Sequence, residues 1–543
     1  MIFFLNFLAF TQFGMQAGAR VTRTLGNNVV RRQLKPLVDE PIIYDWKNIG
    51  GTAEAGTINY RESNFRVALS GDGSTVAVGS PLVNESRGQV RVSRLKNASS
   101  DEWVPMGLDI TGDEQYSLAG TSLSLSKDGT VLAVGFPAYF DAYPQRGTIN
   151  TDSCARVYKW NQTLDDWEQL GSNVFDIRIF PYPEEPTFFM TTQAGWSISL
   201  SDDGMTLAVG APLHLITGQV RVYHFNDNNP ATGWVEIGKP ISKNSIDGWL
   251  FGFSVSLSGD AMILAIGDPY ARSWSNNNAT SSGNTRIFKW NETQDDWGAL
   301  GNIIVGGGLT GFSVSLSTDG NTLAVGHPGS FLPLRGGLVR VYHINDNSSH
   351  WDQIGSDILS AYTDLDWWEN SFGDGRSVFL SGDGQTVAIA APSMSFNCVT
   401  HGLVRVFRLT NTTNSSVIMM DWDQLGKPIA GELRMDGDGS DGTDFVSLSS
   451  DGNRLVVGAP IHGNTPYTHL VSHIVNWTGH VRIFDLKEVL PTVAPTASSS
   501  PSISFSDPDS SASPSSPDNS AAFSKRRPIF TLVLIVTLLA FVL

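Results

Sequence analysis

The amino-acid sequence predicts an all-β fold: a seven-bladed β-propeller closed by an N-terminal strand and followed by a disordered Ser/Pro-rich C-terminal stalk. Three observations predict it. A strand-turn-strand pattern recurs seven times, two further strand-like elements follow in each unit, and one element is displaced to the start of the chain. Recurring units of four short strands that stack around an axis are typical of propellers.

The first two elements of each unit form a hairpin around an S-x-D-G turn, as in "SVSLSTDGNTLAVGHP" at 313–328. Bulky Val or Leu alternates with Ser, Ala or Gly, which indicates strands with one large and one small face. The D-G dipeptide favours a tight turn. The Asp of each turn and the Pro nine residues later are Asp72 and Pro81, Asp128 and Pro137, Asp203 and Pro212, Asp260 and Pro269, Asp319 and Pro328, Asp383 and Pro392, and Asp451 and Pro460.

A third element resembling G-x-V-R-V-Y and a fourth resembling D-W-x-Q-L-G complete the unit. The third carries Arg91, Arg156, Arg221, Arg286, Arg340, Arg405 and Arg482. The fourth carries Trp103, Trp167, Trp234, Trp297, Trp351 and Trp422. Because these residues recur from blade to blade, we expect them to stabilise the blades and not to form a ring of ligands.

The fourth element is missing after the last unit. Instead, "YDWKNIG" at 44–50 precedes the first unit and matches the missing piece. In a closed ring, an N-terminal strand can complete the last blade, whereas an open solenoid would not need the displaced strand. We therefore assign residues 44–486 to the propeller.

Two dipeptide and tripeptide motifs resemble a known repeat family. They are Phe251-Gly252 and Phe372-Gly373 before a first strand, and Gly210-Ala211-Pro212 and Gly458-Ala459-Pro460 after a second strand. The units resemble FG-GAP repeats, which build the propeller of integrin α-subunits, and are most similar to a variant from uncharacterised algal and bacterial surface proteins. The units with Ala119-Gly120, Ala194-Gly195 and Gly267-Asp268-Pro269 depart from that pattern. The resemblance implies a propeller over the whole head and leaves its ligand open.

The N-terminal end indicates entry into the secretory pathway. Residues 2–10 are an apolar run, and small residues at 17–19 suit cleavage, so we expect residues 1–19 to be a signal peptide. Residues 20–43 form a lead segment before the propeller.

The C-terminal end indicates attachment to a membrane. Residues 487–520 are a Ser/Thr/Pro-rich stalk, too poor in large apolar residues to form a core. Residues 521–543 are interpreted as a GPI signal, with attachment at Asn519 or Ser520, or as a short transmembrane segment. The terminal run 529–543 holds 15 residues, fewer than the about 20 that cross a bilayer as helix. Both alternatives predict a protein at the cell surface, on the outer leaflet of the plasma membrane.

Charge, cysteine content and sequons indicate the class of protein and exclude one class of partner. The formal net charge is −17, whereas nucleic-acid binding favours a basic face, so no nucleic-acid partner is expected. The two cysteines, Cys154 and Cys398, lie three blades apart, and we interpret them as unpaired thiols. Asn-x-Ser/Thr sequons suit a secreted glycoprotein. They are Asn84, Asn97, Asn161, Asn278, Asn291, Asn347, Asn411, Asn414 and Asn476.

The unrepeated loops are the predicted binding surface. In an up-and-down propeller, the loops 176–196, 268–278 and 361–373 emerge on the face opposite the S-x-D-G turns, which we call the long-loop face. Most of the sequons lie between third and fourth strands, on the other face. Aromatic residues on loops held by a rigid scaffold are typical of binding sites. The candidates are Tyr182, Phe188, Phe189, Trp274, Trp367 and Trp368. Their packing against their own loops is the alternative.

No cofactor is required by these patterns, and calcium is the one candidate. The stretch "DGDGSDGTD" before the seventh unit contains carboxylate and hydroxyl oxygens of the kind calcium binds. The candidate ligands are Asp436, Asp438, Ser440, Asp441 and Asp444. The alternative is a solvated acidic loop, since Asp441 stands where a standard calcium loop has glycine.

These features together predict an adhesion or recognition glycoprotein that binds an extracellular protein or a surface glycan through the long-loop face, and not an enzyme. Two alternatives stay open. One is an extracellular hydrolase or lyase with acid, base or metal ligands in the central channel, and the other is a structural coat glycoprotein.

Overall fold

The fold is described from a computed structural model. It describes residues 44–49, 66–97, 100–138, 153–177, 180–182, 185–215, 217–228, 233–243, 250–275, 278–281, 283–306, 308–329, 337–345, 349–359, 375–396, 399–414, 417–430, 445–459 and 480–488. These residues all belong to one compact unit, Met1–Pro491, and the second unit, Thr492–Leu543, lies outside them.

The strands are numbered in chain order, beginning with β1 (Tyr44–Asn48). Blade one contains β2 (Arg66–Leu69), β3 (Thr75–Ser80), β4 (Gln89–Leu95), β5 (Trp103–Pro105) and β6 (Ile110–Thr111), with a helical turn α1 (Val83–Ser86). Blade two contains β7 (Leu123–Leu125), β8 (Val131–Phe136), β9 (Ser153–Asn161), β10 (Asp166–Gln169) and β11 (Val174–Ile177). The hairpin β12 (Phe180–Tyr182) and β13 (Glu185–Met190) follows. Blade three contains β14 (Ser197–Leu200), β15 (Thr206–Ala211), β16 (Gln219–Phe225), β17 (Trp234–Glu236) and β18 (Ile241–Ser242).

Blade four contains β19 (Ser254–Leu257), β20 (Ile263–Asp268), β23 (Asn284–Asn291), β24 (Asp296–Ala299) and β25 (Ile304–Val305), and its long loop carries the hairpin β21 (Arg272–Ser275) and β22 (Asn278–Ser281). Blade five contains β26 (Val314–Leu316), β27 (Thr322–His327), β28 (Leu338–Asn345), β29 (His350–Gln353) and β30 (Ile358–Leu359). Blade six contains β31 (Ser377–Leu380), β32 (Thr386–Phe396), β33 (Val399–Asn414), β34 (Val417–Gln424) and β35 (Ile429–Ala430). Blade seven contains β36 (Phe445–Leu448), β37 (Arg454–Ala459) and β38 (His480–Glu488), and it is completed by β1.

Each blade is an antiparallel sheet of four strands, and in blades one to six a short fifth strand pairs with the third. The first strands form the inner ring: each contacts the first strands of both neighbouring blades, and β36 contacts β2. The seven-bladed propeller predicted from the repeats is therefore confirmed, with the described strands arranged in a closed ring.

The displaced element closes the ring as predicted. Strand β1 pairs antiparallel with β38, from Tyr44 opposite Glu488 to Asn48 opposite Phe484. Trp46 is buried, and its indole N–H donates to the carbonyl oxygen of Leu425 in blade six at 3.0 Å. The N-terminal strand thus supplies both the fourth strand of blade seven and a contact of that blade with blade six.

The hydrophobic core lies between blades, where large side chains of one sheet meet small side chains of the next. Between blades two and three, for example, Val131 and Ala133 belong to the same buried cluster as Leu207 and Val209. The repeated tryptophans extend this packing outward, because each of five donates its indole N–H to a carbonyl of the preceding blade. These pairs are Trp46 to Leu425, Trp167 to Met106, Trp234 to Leu170, Trp351 to Leu300 and Trp422 to Ile354.

The recurring glycines have a common structural reason at the blade interfaces. A Cβ on Gly210, near the end of a second strand, would lie 2.3 Å from the carbonyl oxygen of Gly252 in the next blade. Gly252 has φ +85°, a conformation that side chains disfavour, so both partners of the contact need glycine. The same contact joins Gly79 to Gly120, Gly135 to Gly195, Gly267 to Gly311 and Gly326 to Gly375. Blade six has Ala390 instead, and its counterpart Thr443 lies outside the described residues.

The repeated arginines also make structural contacts, as their recurrence predicts. Arg340 forms two hydrogen bonds with Asp357, at 2.8 and 2.9 Å, and Arg91 forms the equivalent pair with Asp109. Arg405 and Arg482 each donate to a carbonyl of the preceding blade. Such contacts tie third strands to the outer short strands, so these cations serve the scaffold.

Among the residues described above, no helix is long and apolar enough to cross a bilayer.

Candidate ligand site at the loop mouth

The central channel opens at two mouths that differ in composition. We call the mouth on the long-loop face the loop mouth and define it by the residues that immediately precede the first strands or their opening serine. These are Thr121, Trp196, Phe253, Phe312 and Arg376 in blades two to six. The turn mouth, at the other end, is formed by the second residue of each S-x-D-G turn: Gly71, Lys127, Asp202, Gly259, Thr318, Gly382 and Ser450.

Local sequence explains how the loop-mouth side chains are positioned. Each follows a glycine with positive φ, such as Gly252 at +85° and Gly311 at +82°, which turns the chain into the first strand. The serine that opens the first strand of one blade then donates to the carbonyl of that glycine in the next blade. The pairs are Ser122 to Gly195 at 2.7 Å, Ser197 to Gly252 at 2.8 Å, Ser254 to Gly311 at 2.9 Å and Ser313 to Gly375 at 2.8 Å. Four successive interfaces therefore hold the mouth in place.

Three aromatic side chains form a continuous arc on blades three, four and five. The ring centroids of Trp196 and Phe253 are 5.6 Å apart, and those of Phe253 and Phe312 are 4.8 Å apart, both pairs with tilted planes. All three side chains are partly exposed, whereas Phe251, two residues before Phe253, is fully buried. The arc is thus additional to the blade core, and it leaves aromatic surface at the mouth.

A cation continues the arc on blade six. Arg376 occupies the position that Phe312 holds in blade five, and its positive charge acts on Tyr270, which follows the second strand of blade four. Burial raises the pKa of Tyr270, and Arg376 offsets part of this rise. The phenol is therefore protonated at neutral pH and retains its O–H as a donor. On the opposite side of the ring, the guanidinium of Arg66 lies 3.9 Å from the ring centroid of Phe445, which joins blades one and seven.

At the turn mouth, by contrast, the polar groups of the turns form hydrogen bonds with one another. In every turn the Ser hydroxyl donates to the Asp carboxylate, as in Ser317 to Asp319 at 2.5 Å, and accepts the N–H five residues on. At six of the seven interfaces, a backbone N–H of one turn also donates to the carbonyl of the next, for example Lys127 to Asp202. Only Lys127 and Asp202 bring charged side chains to this mouth, and they pair at 3.7 Å.

The described inner strands offer little acid-base chemistry. Strands β2, β7, β14, β19, β26, β31 and β36 contain no Asp, Glu, His or Cys. Within the described ranges, no group of three or more His, Cys, Asp or Glu side chains is placed to hold a metal ion. Acid or base groups for a catalytic centre in the channel would have to come from outside these seven strands.

One buried ion pair anchors the long loop of blade four. Asp268 is fully buried at the end of β20, and its carboxylate accepts a hydrogen bond from Lys243 Nζ at 2.8 Å. Burial raises the pKa of Asp268, and Lys243 opposes the rise. The Gly-Asp-Pro departure from the repeat thus adds a tether to the preceding blade.

The loop aromatics predicted as binding residues are placed only in part. Tyr182 lies in β12, while Phe188 and Phe189 lie in β13, and Trp274 lies in β21, opposite Ala279. Trp367 and Trp368 lie outside the described residues. Their role in binding stays a prediction.

The calcium candidates Asp436, Asp438, Ser440, Asp441 and Asp444 all lie outside the described residues, so calcium binding also stays a prediction. The same holds for the pairing state of the cysteines, because Cys154 is buried in β9 and Cys398 lies outside the described residues.

The sequons fall into two structural groups. Asn161 and Asn291 end third strands, and each Oδ1 accepts backbone N–H groups two and three residues on. Asn226, which is not a sequon, makes a similar turn contact with Asn228, so turn geometry alone accounts for asparagine here. The remaining described sequons lie in the turn α1 (Asn84), after β4 (Asn97), in β22 (Asn278) and in β33 (Asn411, Asn414). Asn347, Asn476 and the anchor candidates Asn519 and Ser520 lie outside the described residues.

The loop-mouth residues were not among the sequence candidates. The signal was present, because one position, immediately after the glycine of each unit, is Trp, Phe, Phe and then Arg in blades three to six. Within a single unit this position looks like the start of a strand. Only the ring brings the three aromatic side chains together and places Arg376 at the same position of the next blade.

No protein-family model matches the chain, and no curated protein matches it. Among solved structures it is similar to the periplasmic gluconolactonase of Pseudomonas aeruginosa, at 16% identity over 78% of this chain and 99% of that chain, with a TM-score of 0.40. It is also similar to the WD40 repeats of RRP9, at 10% identity over 82% of this chain and 100% of that chain, with a TM-score of 0.39. Similarities of this size carry no inference about activity or ligand.

Proposed function

We propose that the protein is a cell-surface recognition glycoprotein that binds an extracellular protein or glycan through the long-loop face, with the loop mouth at the centre of the site. The observation that carries the proposal is the arc of Trp196, Phe253 and Phe312, partly exposed on three consecutive blades and continued by Arg376. Aromatic and arginine side chains dominate the binding energy of most recognition surfaces.

The rigidity of the mouth supports this role. Hydrogen bonds from Ser197 and Ser254 fix the glycines that precede Phe253 and Phe312, so little conformational entropy is lost when a ligand is bound. The resemblance to FG-GAP repeats supports it as well, since the glycines that carry the resemblance position these side chains. Secretion, the stalk and the C-terminal anchor belong to the same proposal and rest on the sequence.

The enzyme alternative has less support, because the inner strands described above bring no acid-base pair to the channel. The structural-coat alternative differs from recognition in one respect, since it requires no ligand.

The proposal can be tested on the full-length protein displayed on cells. We expect phosphatidylinositol-specific phospholipase C to release it, and we expect labelled glycan or protein probes to bind in a manner lost in Trp196→Ala and Phe253→Ala. The matched control is Lys127→Gln at the turn mouth, which should leave binding unchanged. Retention after phospholipase treatment would contradict the GPI anchor. Surface display of a folded protein that binds no probe would favour a coat function.

A further inference from the structure

We infer that the loop mouth opens in mild acid: the segment 308–312 separates from blade five, carries Phe312 away from Phe253, and weakens the binding of a ligand held by the arc. We call residues 308–312 the mouth segment. The inference rests on the proposed function and specifies how that site is regulated. It is argued from the polar groups at the interface of blades four and five.

This interface ends in polar side chains on the long-loop face. Thr285 in β23, Thr310 in the mouth segment and His327 at the end of β27 are all buried. At the equivalent positions between blades two and three, the residues are alanines of one apolar cluster: Ala155, Ala194 and Ala211. The interface next to Phe312 is therefore polar, whereas its counterpart next to Trp196 is apolar.

His327 is placed so that only its neutral form is accommodated. Its Nδ1 lies 2.9 Å from Oγ1 of Thr310. Its Nε2 is buried and has no hydrogen-bond partner among the residues that the structure describes. An imidazolium carries N–H on both nitrogens, so its Nε2–H would be a buried donor without an acceptor. Protonation is therefore opposed as long as the ring stays buried.

The backbone before blade five covers the imidazole. A Cβ on Gly306 would lie 2.6 Å from Nδ1 and from Cε1 of His327, so the ring packs directly against this backbone. The N–H of Gly311 donates to the carbonyl oxygen of Gly326, the residue before His327, at 3.2 Å. Separating these contacts would hydrate the imidazole. It would also move Phe312, the last residue of the mouth segment.

The charged groups that act on the ring lie in blade five. Arg340, on the neighbouring strand β28, disfavours a protonated imidazole, and Asp357 favours it but is hydrogen-bonded to Arg340. In blade four, Asp268 binds Lys243 of blade three and so faces the other interface of its sheet. The mouth segment has no titratable side chain. Among the described residues, Arg340 and Asp357 therefore set the electrostatic environment of His327.

These surroundings determine how opening depends on pH. Burial and the charge of Arg340 lower the pKa of His327 to about 3, with Asp357 partly opposing. A hydrated imidazole has a pKa near 6.5. Opening is therefore coupled to the uptake of a proton below about pH 6.5, and it becomes about 20-fold more favourable between pH 7 and pH 5.

The test is hydrogen–deuterium exchange of the full-length protein, followed by mass spectrometry at pH 7 and pH 5 and corrected for the intrinsic rate at each pH. The N–H groups of Gly311 and Phe312 are hydrogen-bonded at 3.2 and 3.1 Å. Those of Gly195 and Trp196, at the apolar interface, are hydrogen-bonded at 3.1 and 3.0 Å and serve as the matched control. We expect protection to fall about 20-fold at Gly311 and Phe312 and to stay unchanged at the control pair.

Two changes to the chain locate the effect. His327→Gln keeps a polar side chain and cannot take up a proton, so it should remove the pH dependence of exchange. His327→Ala should do the same, and alanine is the residue at this position in blades three, six and seven. With 4-fluorophenylalanine in place of Phe312, the fluorine resonance should shift at pH 5 only when His327 is present. Thermal unfolding at pH 7 establishes that each variant is folded.

The other outcomes overturn the inference in distinct ways. Unchanged protection at pH 5 removes it and leaves the proposed recognition function standing. An equal fall at Gly195 and Trp196, or a fall that persists in His327→Gln, shows that acid acts elsewhere and also removes it. A fall without a shift of the fluorine resonance removes the link to the arc.

Binding is measured separately, with the labelled glycan and protein probes described above. A probe that binds equally well at pH 7 and pH 5 removes the weakening of ligand binding. A folded protein that opens in acid but binds no probe removes the proposed function, while the opening itself stands.

Discussion

The same seven repeats form both mouths of the channel. The turns at the turn mouth recur in every blade, whereas the residues that form the loop mouth differ from blade to blade. At the turn mouth, the S-x-D-G sequence recurs, and its polar groups bond to one another within and between turns. At the loop mouth, the glycine recurs but the residue after it changes from Trp to Phe to Arg around the ring. The repeated positions hold the ring together, and the variable position after each glycine is free to specify a ligand.

The largest expected effect comes from breaking a contact between blades that positions the loop mouth. In Gly210→Ala the new methyl group would lie 2.3 Å from the carbonyl oxygen of Gly252, a backbone atom that cannot move without displacing Phe253. We expect a loss of about 3 kcal/mol or more in the free energy of unfolding, measured by denaturant titration. Gly298→Ala in β24 is the matched control, because its Cβ would meet only one atom, at 3.9 Å. Equal stability of the two variants would contradict the glycine contact.

A second prediction concerns the pH at which groups near each mouth lose their contribution to the free energy of unfolding. His327, buried between blades four and five, has its pKa lowered to about 3 by burial and by the charge of Arg340, which Asp357 partly opposes. Because this folded-state pKa is below the unfolded value of about 6.5, the neutral imidazole contributes stability that is complete above that value and declines as the pH falls towards 3. The expected loss is on the order of 4 kcal/mol.

The variant His327→Ala should abolish that decline, and alanine is the residue that blades three, six and seven carry at this position. The carboxylates of the S-x-D-G turns should lose their stabilising effect at a lower pH than His327. Burial raises the pKa of Asp319, but hydrogen bonds from Ser317 and Asn321 outweigh it, so the pKa lies below the usual range. Its stabilisation is present above the unfolded pKa and is lost only in stronger acid. Unfolding curves from pH 7 to pH 3 with an unchanged slope in His327→Ala would refute the assignment.

Two variants in blade five compare opposite ends of the same first strand. Ser317→Ala removes a buried hydroxyl that donates to Asp319 and accepts the N–H of Thr322, so we expect a loss of about 1–3 kcal/mol in stability without a change in ligand binding. Phe312→Ala should weaken binding at least tenfold, because it removes the last ring of the arc. Ligand binding and thermal unfolding would be measured on both variants. The expected difference between the two ends of the strand is contradicted if both variants lose only stability or both lose only binding.

The smallest effect is expected in blade four, whose turn has alanine where the other turns have glycine. Ala261 has φ +61°, a left-handed conformation that costs a side chain about 1–2 kcal/mol, whereas Gly320 has φ +69° in the next blade. We expect Ala261→Gly to stabilise the protein by about 0.5–1 kcal/mol after the greater freedom of unfolded glycine is counted. A thermal midpoint below that of the wild type would show that the lost methyl contact matters more.

The sequence was sufficient for those features that repeat, because repetition reveals an element even when a single copy is ambiguous. The seven hairpins, the order of strands and the pairing of β1 with β38 could all be predicted in this way. The loop mouth could not, since its side chains lie 57 to 64 residues apart, from Trp196 to Phe253 and from Phe312 to Arg376, and no local pattern relates them. Their proximity arises from ring closure. The sequence implies that the ring closes but does not show which side chains become neighbours when it does.

Ring closure also has a mechanical consequence. Tyr44, the first residue of β1, lies opposite Glu488, the last residue of β38, so the chain enters and leaves the propeller side by side at one end of blade seven. A pull at the C-terminal side is resisted by two ladders at once, because β38 is hydrogen-bonded to both β37 and β1. A pull that separates the two chain ends would instead peel β1 away pair by pair. The propeller is therefore expected to resist tension along β38 more strongly than tension that draws its two ends apart.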